Sequence, residues 1–205
     1  MRKIDLNTWN RKKHYEHFVK MSDPYFAVTI PFDVTLAYEF SKDTQTSFFG
    51  TYLHACMKAI NATENMKYRI VEGDIISYDI IHASPTIMKT NGTFAFSFIH
   101  FDERLETFIE NLNKEKLRIE YSMNLFPPQN SLDCIYCSAM PWLNFSGHKE
   151  PVSGNLDSVP KLAFSKMTKV GDVLKMNIAV SVNHALVDGN HVALFAEKFQ
   201  DYLNK

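Results

Sequence analysis

The stretch from Val173 to Val182 constrains the fold more than any other part of the chain. Leu174, Met176, Ile178, Val180 and Val182 fall on one side of it, and Val173, Lys175, Asn177, Ala179 and Ser181 on the other. Successive side chains of an extended chain point to opposite faces, so a period of two predicts a strand. Tyr25 to Val34 repeats the pattern, with Phe26, Val28, Ile30 and Phe32 on one face. Ile75 to His82, Thr93 to Phe101 and Leu132 to Ser138 also read as strands, and Lys161 to Met167 as extended chain.

Helical spacing appears between these runs. Residues 8–20 mix aromatics and charges, whereas Phe48 to Ile60 gathers Phe49, Leu53, Cys56, Met57 and Ile60 on one side. Glu103 to Ile119 turns Leu105, Phe108, Ile109 and Leu112 inward. Asn190 to Tyr202 does the same with Val192, Phe195, Ala196 and Phe199. Phe126-Pro127-Pro128 breaks the chain. Helices and strands are interspersed without strict alternation. An α+β fold follows, a two-layer sandwich with a mostly antiparallel or mixed sheet packed by helices, rather than a Rossmann fold. No repeat, linker or low-complexity tract divides residues 1–205, which predicts a single domain.

Composition excludes several function classes. The net charge of −1 gives no global attraction for nucleic acid, and Arg11-Lys12-Lys13 reads as a solvated helix face. No run approaches the roughly 18 to 20 apolar residues that span a bilayer. The N-terminal Met1-Arg2-Lys3-Ile4-Asp5 has no signal-peptide character, so the cytoplasm is the expected location. Three cysteines make no disulfide scaffold. Cys134 and Cys137 lie three apart on a predicted strand and so face opposite sides, which predicts inert buried thiols rather than a metal or redox pair. His184 and His191 are seven apart with no HExxH-type partner, so no metal is expected. No GxGxxG, P-loop or GxSxG elbow is present.

The late strand runs directly into Asn183-His184-Ala185-Leu186-Val187-Asp188-Gly189-Asn190-His191. A side chain at a strand exit is firmly held yet reaches the surface, which suits a catalytic group. Two readings stay open at this point. His184 could be a structural histidine with Asp188 capping the next helix, or it could be a base, since histidine titrates near neutral pH.

His184, Asp188 and Gly189 match the HxxxDG signature of CoA-dependent acyltransferases, and the run from Val182 to Val192 resembles the chloramphenicol acetyltransferases. Ser138-Ala139-Met140-Pro141-Trp142-Leu143-Asn144-Phe145 resembles that family's Ser-Ala-x-Pro-Trp-x-x-Phe segment. Trp9-Asn10-Arg11-Lys12-Lys13-His14-Tyr15 resembles its Trp-x-Arg-x-x-His-Phe opening. Phe126-Pro127 and the Arg69–Gly73 region also fit. Lipoamide acyltransferases share the HxxxDG signature, but no lipoyl domain or Ala/Pro-rich linker precedes the motifs here; condensation domains share it too but are about twice this length.

The resemblance implies a CoA-dependent acyltransferase fold, acetyl-CoA as the acyl donor, and a homotrimer with active sites between subunits. It implies acetylation of a chloramphenicol hydroxyl in a ternary complex. His184 would be the general base, with its other ring nitrogen fixed by a backbone carbonyl, and Ser138 the oxyanion donor. Asp188 and Arg11 would form a structural pair beside Gly189, and Phe18, Phe26, Met88, Phe126 and Glu150 would line the acceptor site. The match departs from the family at several positions. Asn183 stands for a second histidine and Ala163 for a threonine. Met88 replaces a phenylalanine, Glu150 an apolar residue, and Pro24 and Tyr25 alter the acceptor segment. The implied alternatives are a same-fold enzyme acting on another alcohol or amine, or an inactive trimer that binds small molecules.

Overall fold

A computed structural model describes residues 1–151 and 157–205. The main sheet has seven strands. These are β2 (Tyr25–Asp33), β5 (His82–Met88), β6 (Phe94–Phe96), β7 (Cys134–Ala139), β8 (Lys161–Phe164), β9 (Thr168–Val170) and β10 (Val173–Asn183). Their order is β2-β10-β8-β7-β5-β6, with β9 beside β10. β5 pairs parallel to β7 and β7 parallel to β8, and the other pairs are antiparallel, so the sheet is mixed as expected. A small antiparallel sheet joins β1 (Arg2–Lys3), β4 (Asp74–Ser77) and β3 (Tyr68–Val71).

Helices α1 (Lys12–Phe18), α2 (Thr35–Asp43), α3 (Phe48–Asn61), α4 (Leu105–Tyr121) and α5 (Gly189–Leu203) complete the chain. The apolar face of β10, formed by Met176, Ile178, Val180 and Val182, shares one hydrophobic cluster with Leu53, Met57 and Ile60 of α3 and Val192, Phe195 and Phe199 of α5. The opposite face of β10 carries Asn177, Ala179 and Ser181. Burying one side of a period-two strand under helices is what separates the layers.

Some elements differ from the sequence-based expectation. The strand expected over Ile75–His82 is two strands. Between them, Asn61 takes the Ile81 amide on its side-chain oxygen at 2.7 Å and donates its side-chain nitrogen to the Ile81 carbonyl at 2.9 Å, replacing a ladder partner. The strand expected over Thr93–Phe101 keeps only Phe94–Phe96, because it runs against Pro85, which has no N–H to offer. The helix expected over residues 8–20 shortens to Lys12–Phe18. Helix α2 is new; Asp33 starts it by accepting from the Thr35 amide at 2.9 Å.

Cys56, Cys134 and Cys137 are buried and free. Cys137 packs in the main core and Cys134 in a second cluster with Phe98 and Val159, as opposite strand faces require. Burial raises all three thiols, Cys134 to about 12. Among the described residues, no helix is long and apolar enough to cross a membrane.

Arg69 ties the two sheets together. It is fully buried, and its guanidinium donates to the carbonyls of Leu132, Met66, Tyr68 and Cys134 at 2.6–2.8 Å. Burial lowers its pKa to about 10, which still leaves it charged at neutral pH. Arg69→Met would strip four carbonyls of their donor, three of them buried. It is expected to lower the unfolding free energy by about 3 kcal/mol or more, read from the urea midpoint. A loss below about 1 kcal/mol would show that the carbonyls find other donors.

Candidate active site

β10 ends at Asn183, and the chain turns sharply. The Leu186 and Val187 amides both donate to the Asn183 carbonyl at 3.0 Å. The Asn183 side chain accepts from the Ala185 amide at 2.9 Å and donates to the Asp157 carbonyl at 2.8 Å. A side chain with both an acceptor and a donor therefore holds the turn at the position where the resemblance leads one to look for a second histidine. The His184 amide is pinned to the Pro24 carbonyl at 2.8 Å.

The His184 ring lies flat on Phe18, with centroids 4.0 Å apart and planes 5° apart, and meets Phe26 at 4.6 Å. Its Nδ1 is buried and has no hydrogen-bond partner among the described residues. The backbone carbonyl expected to fix the tautomer is not in place, and the aromatic faces orient the ring instead.

Asp188 does two jobs that sequence reasoning treated as alternatives. One oxygen caps α5 by accepting from the Asn190 and His191 amides at 3.1 and 3.3 Å. The other pairs with Arg11, whose side chain is 10% exposed. A second Arg11 nitrogen donates to the His184 carbonyl at 3.3 Å. One guanidinium therefore spans both ends of the HxxxD turn. Burial alone would push the Asp188 carboxyl up, but His191, Arg11 and the helix amides outweigh it and hold it below its ordinary value. His191 Nδ1 accepts from the Asp188 amide at 3.1 Å, completing a capping box. That role needs an unprotonated Nδ1, so the 2.9 Å approach of Nδ1 to the Asp188 carboxylate is a contact and not a hydrogen bond. Burial, the largest influence on His191, lowers its pKa and agrees with this assignment. Gly189 opens α5, and a Cβ there would meet nothing within 4 Å, so no contact in this chain demands the glycine.

Ser138 lies elsewhere. It sits on β7 opposite Ala163, which in turn faces Ala179 of β10. Ser138 also lines a 720 Å³ cavity with Phe49, Met88, Met140, Trp142, Lys116 and Lys166. His184 is five residues beyond Ala179 and Ser138 two strands away, which puts them roughly 19 Å apart at ordinary strand rise and spacing. Hydrogen-bond-range catalysis cannot bridge that distance within one chain.

The five acceptor-site candidates fall in four places. Phe18 and Phe26 flank His184. Met88 shares the cavity of Ser138. Phe126 stacks on Phe96 at 5.1 Å and is half exposed. Glu150 lines a separate 220 Å³ cavity, which Phe26 also reaches, with Asp23, Tyr25, His148, Lys149 and Lys161. Lys161 and His148 carried no signal in the sequence, because an isolated Lys or His in an extended run looks like any surface residue.

A family model described as chloramphenicol acetyltransferase matches residues 1–200. A chloramphenicol acetyltransferase of Escherichia coli is 23% identical over 205 aligned residues, covering 98% of this chain and 93% of its own length. Chloramphenicol acetyltransferase 3 of Escherichia coli is 26% identical, covering 98% of this chain and 96% of its own. A solved chloramphenicol acetyltransferase structure superposes with a TM-score of 0.83 at 28% identity, covering 98% of this chain and all of that one. The Azotobacter vinelandii dihydrolipoamide acetyltransferase shares the fold, with a TM-score of 0.71 at 14% identity over 94% of this chain and 86% of its own. Nearly the whole length matches one family model, and the chain belongs to the chloramphenicol acetyltransferase family of acyltransferases.

Proposed function

We propose that this protein transfers an acetyl group from acetyl-CoA to a hydroxyl acceptor, at sites formed between the subunits of a homotrimer. The names of its relatives make chloramphenicol the reference acceptor. The observation that carries this reading is the Arg11 clamp on the HxxxD turn, which fixes a histidine at a strand exit without using it in the core.

His184 takes the proton of the acceptor hydroxyl as that oxygen attacks the thioester carbonyl. Ser138 of a neighbouring subunit donates a hydrogen bond to the oxygen that gains charge. The C–S bond then breaks, the C–O bond stays, and the departing sulfur takes the proton from His184 and leaves as the thiol. Both substrates are held together, so no covalent enzyme intermediate is needed. The cavity beside Ser138 suits the donor in its chemistry. Its wall is apolar and aromatic, and Lys116 and Lys166 supply positive charge for phosphates. The roughly 19 Å between His184 and Ser138 supports a shared site, because a ring of subunits can set one chain's histidine against the next chain's serine.

His184→Ala is expected to cut turnover by about 10²–10⁴-fold, and Ser138→Ala by about 10²-fold. Subunits of the two variants, mixed in equal amounts and reassembled, should recover about a quarter of wild-type turnover, because one in four heterologous interfaces is intact. No recovery would place both residues in one chain's site.

Asp188→Asn keeps a capping oxygen but loses the charge facing Arg11. It is expected to lower kcat about 10-fold or more with little change in KM, through misplacement of His184. Because the folded pKa of Asp188 is depressed, its stabilisation is full above about pH 4 and is lost as pH falls through the lower folded value. Wild type should therefore lose more stability than Asp188→Asn on going from pH 5 to pH 3. Parallel denaturation curves at the two pH values would refute the pairing.

A further inference from the structure

The 220 Å³ cavity lies on the sheet face that carries Ser138. Side chains two apart on a strand share a face, so Ser138 and Tyr136 point the same way. Tyr136 pairs with Lys161, and Lys161 with Ser181. Lys161 is thus roughly 8 Å from Ser138 between Cα atoms. The cavity that suits the donor opens at the other end of the same strands, at Trp142, Ser165 and Met176. Ser138 therefore stands between the two cavities, which leaves the smaller one to the acceptor.

The walls of the smaller cavity are charged. The Lys161 ammonium is spent on its own chain. It pairs with Asp157 at 3.0 Å, donates to the Pro151 carbonyl at 3.2 Å, and sits 4.9 Å over the Tyr25 ring. Three donors meet three partners, and none is left for an anionic ligand. Glu150 is different. Its side chain is 20% exposed, and its carboxylate meets His148 through one oxygen at 2.9 Å. Asp23 accepts from the Tyr25 amide at 3.2 Å and meets Lys149 at 3.8 Å, a pair that solvent screens because the Lys149 side chain is 82% exposed. Among the described residues, two carboxylates, Glu150 and Asp23, and two ammonium groups, Lys149 and Lys161, line the cavity. With Lys161 held by Asp157 and Lys149 beside Asp23, Glu150 is the lining carboxylate that faces no ammonium group among the described residues. Tyr25 and Phe26 add aromatic faces.

Building on the acyltransferase reading above, we infer that this cavity binds a protonated amine, and that the preferred acceptor is an amino alcohol rather than a neutral amide such as chloramphenicol. The ammonium lies against Glu150 and the aromatic walls. The hydroxyl of the same molecule reaches toward Ser138, loses its proton to His184 and takes the acetyl group from sulfur, releasing the thiol. An apolar residue at position 150 would suit a neutral acceptor, and burying a carboxylate against one would be costly.

The test compares chloramphenicol with its free-amine form, the same diol without the dichloroacetyl group. Binding is measured by calorimetry on wild type, Glu150→Gln and Glu150→Leu, and acetylation is measured in parallel by thiol release. Wild type should bind the amine at least 10-fold more tightly than chloramphenicol. Glu150→Leu should reverse that ratio by 10-fold or more, and Glu150→Gln, which keeps the shape, should fall between. An affinity ratio unmoved by both variants, or a wild type that prefers chloramphenicol, would overturn the inference. Binding is read without turnover, so amine-selective binding with no thiol release would sink the acyltransferase reading and leave the charge selectivity standing.

Discussion

One buried guanidinium sets the conditions for everything at the end of β10. Arg11 arrives from the loop before α1 and reaches both the Asp188 carboxylate and the His184 carbonyl. A buried ion pair of this kind adds little net stability, yet losing either partner strands a charge. Its value lies in geometry. The turn from His184 to Asp188 has no freedom to drift, because its two ends share one rigid, planar cation. Asn183 locks the same turn from inside through its amide, and Phe18 and Phe26 hold the ring. Preorganisation here comes from several weak fixed contacts rather than from one strong one.

Much of this was legible in the sequence, for a definite reason. Apolar side chains alternate along β10 and β2, so their period of two survives in the residue order, and α3 and α5 show their apolar stripes just as openly. What failed to show depended on partners distant in sequence. The break between β4 and β5 is made by Asn61, whose side chain substitutes for a strand. The shortness of β6 reflects Pro85 on its neighbour. Helix α2 was hidden because most of its positions are partly exposed and its start signal, Asp33, lies inside a strand.

The same limit applied to the candidate site. The resemblance marked His184, Ser138, Asp188 and Arg11 and implied the Asp188–Arg11 pair, while the residue order gave no distance between His184 and Ser138. Strand order then separated the first two, and the ion pair between Arg11 and Asp188 joined the last two. The acceptor candidates taken from the resemblance scattered, while Lys161 and His148, with no motif to mark them, came together with Glu150. Charge in a cavity is a property of register: it depends on which strands lie side by side, and no local window of residues records that.

The buried cysteines bear on how such a protein handles its own product. Acyl transfer from a thioester liberates a thiol, and thiols exchange with disulfides through their thiolates. Cys56, Cys134 and Cys137 sit out of contact with solvent, and burial keeps them protonated at physiological pH. The chain therefore offers the released thiol no partner for a mixed disulfide. Any thiol-specific dye added during turnover reports the product and not the catalyst.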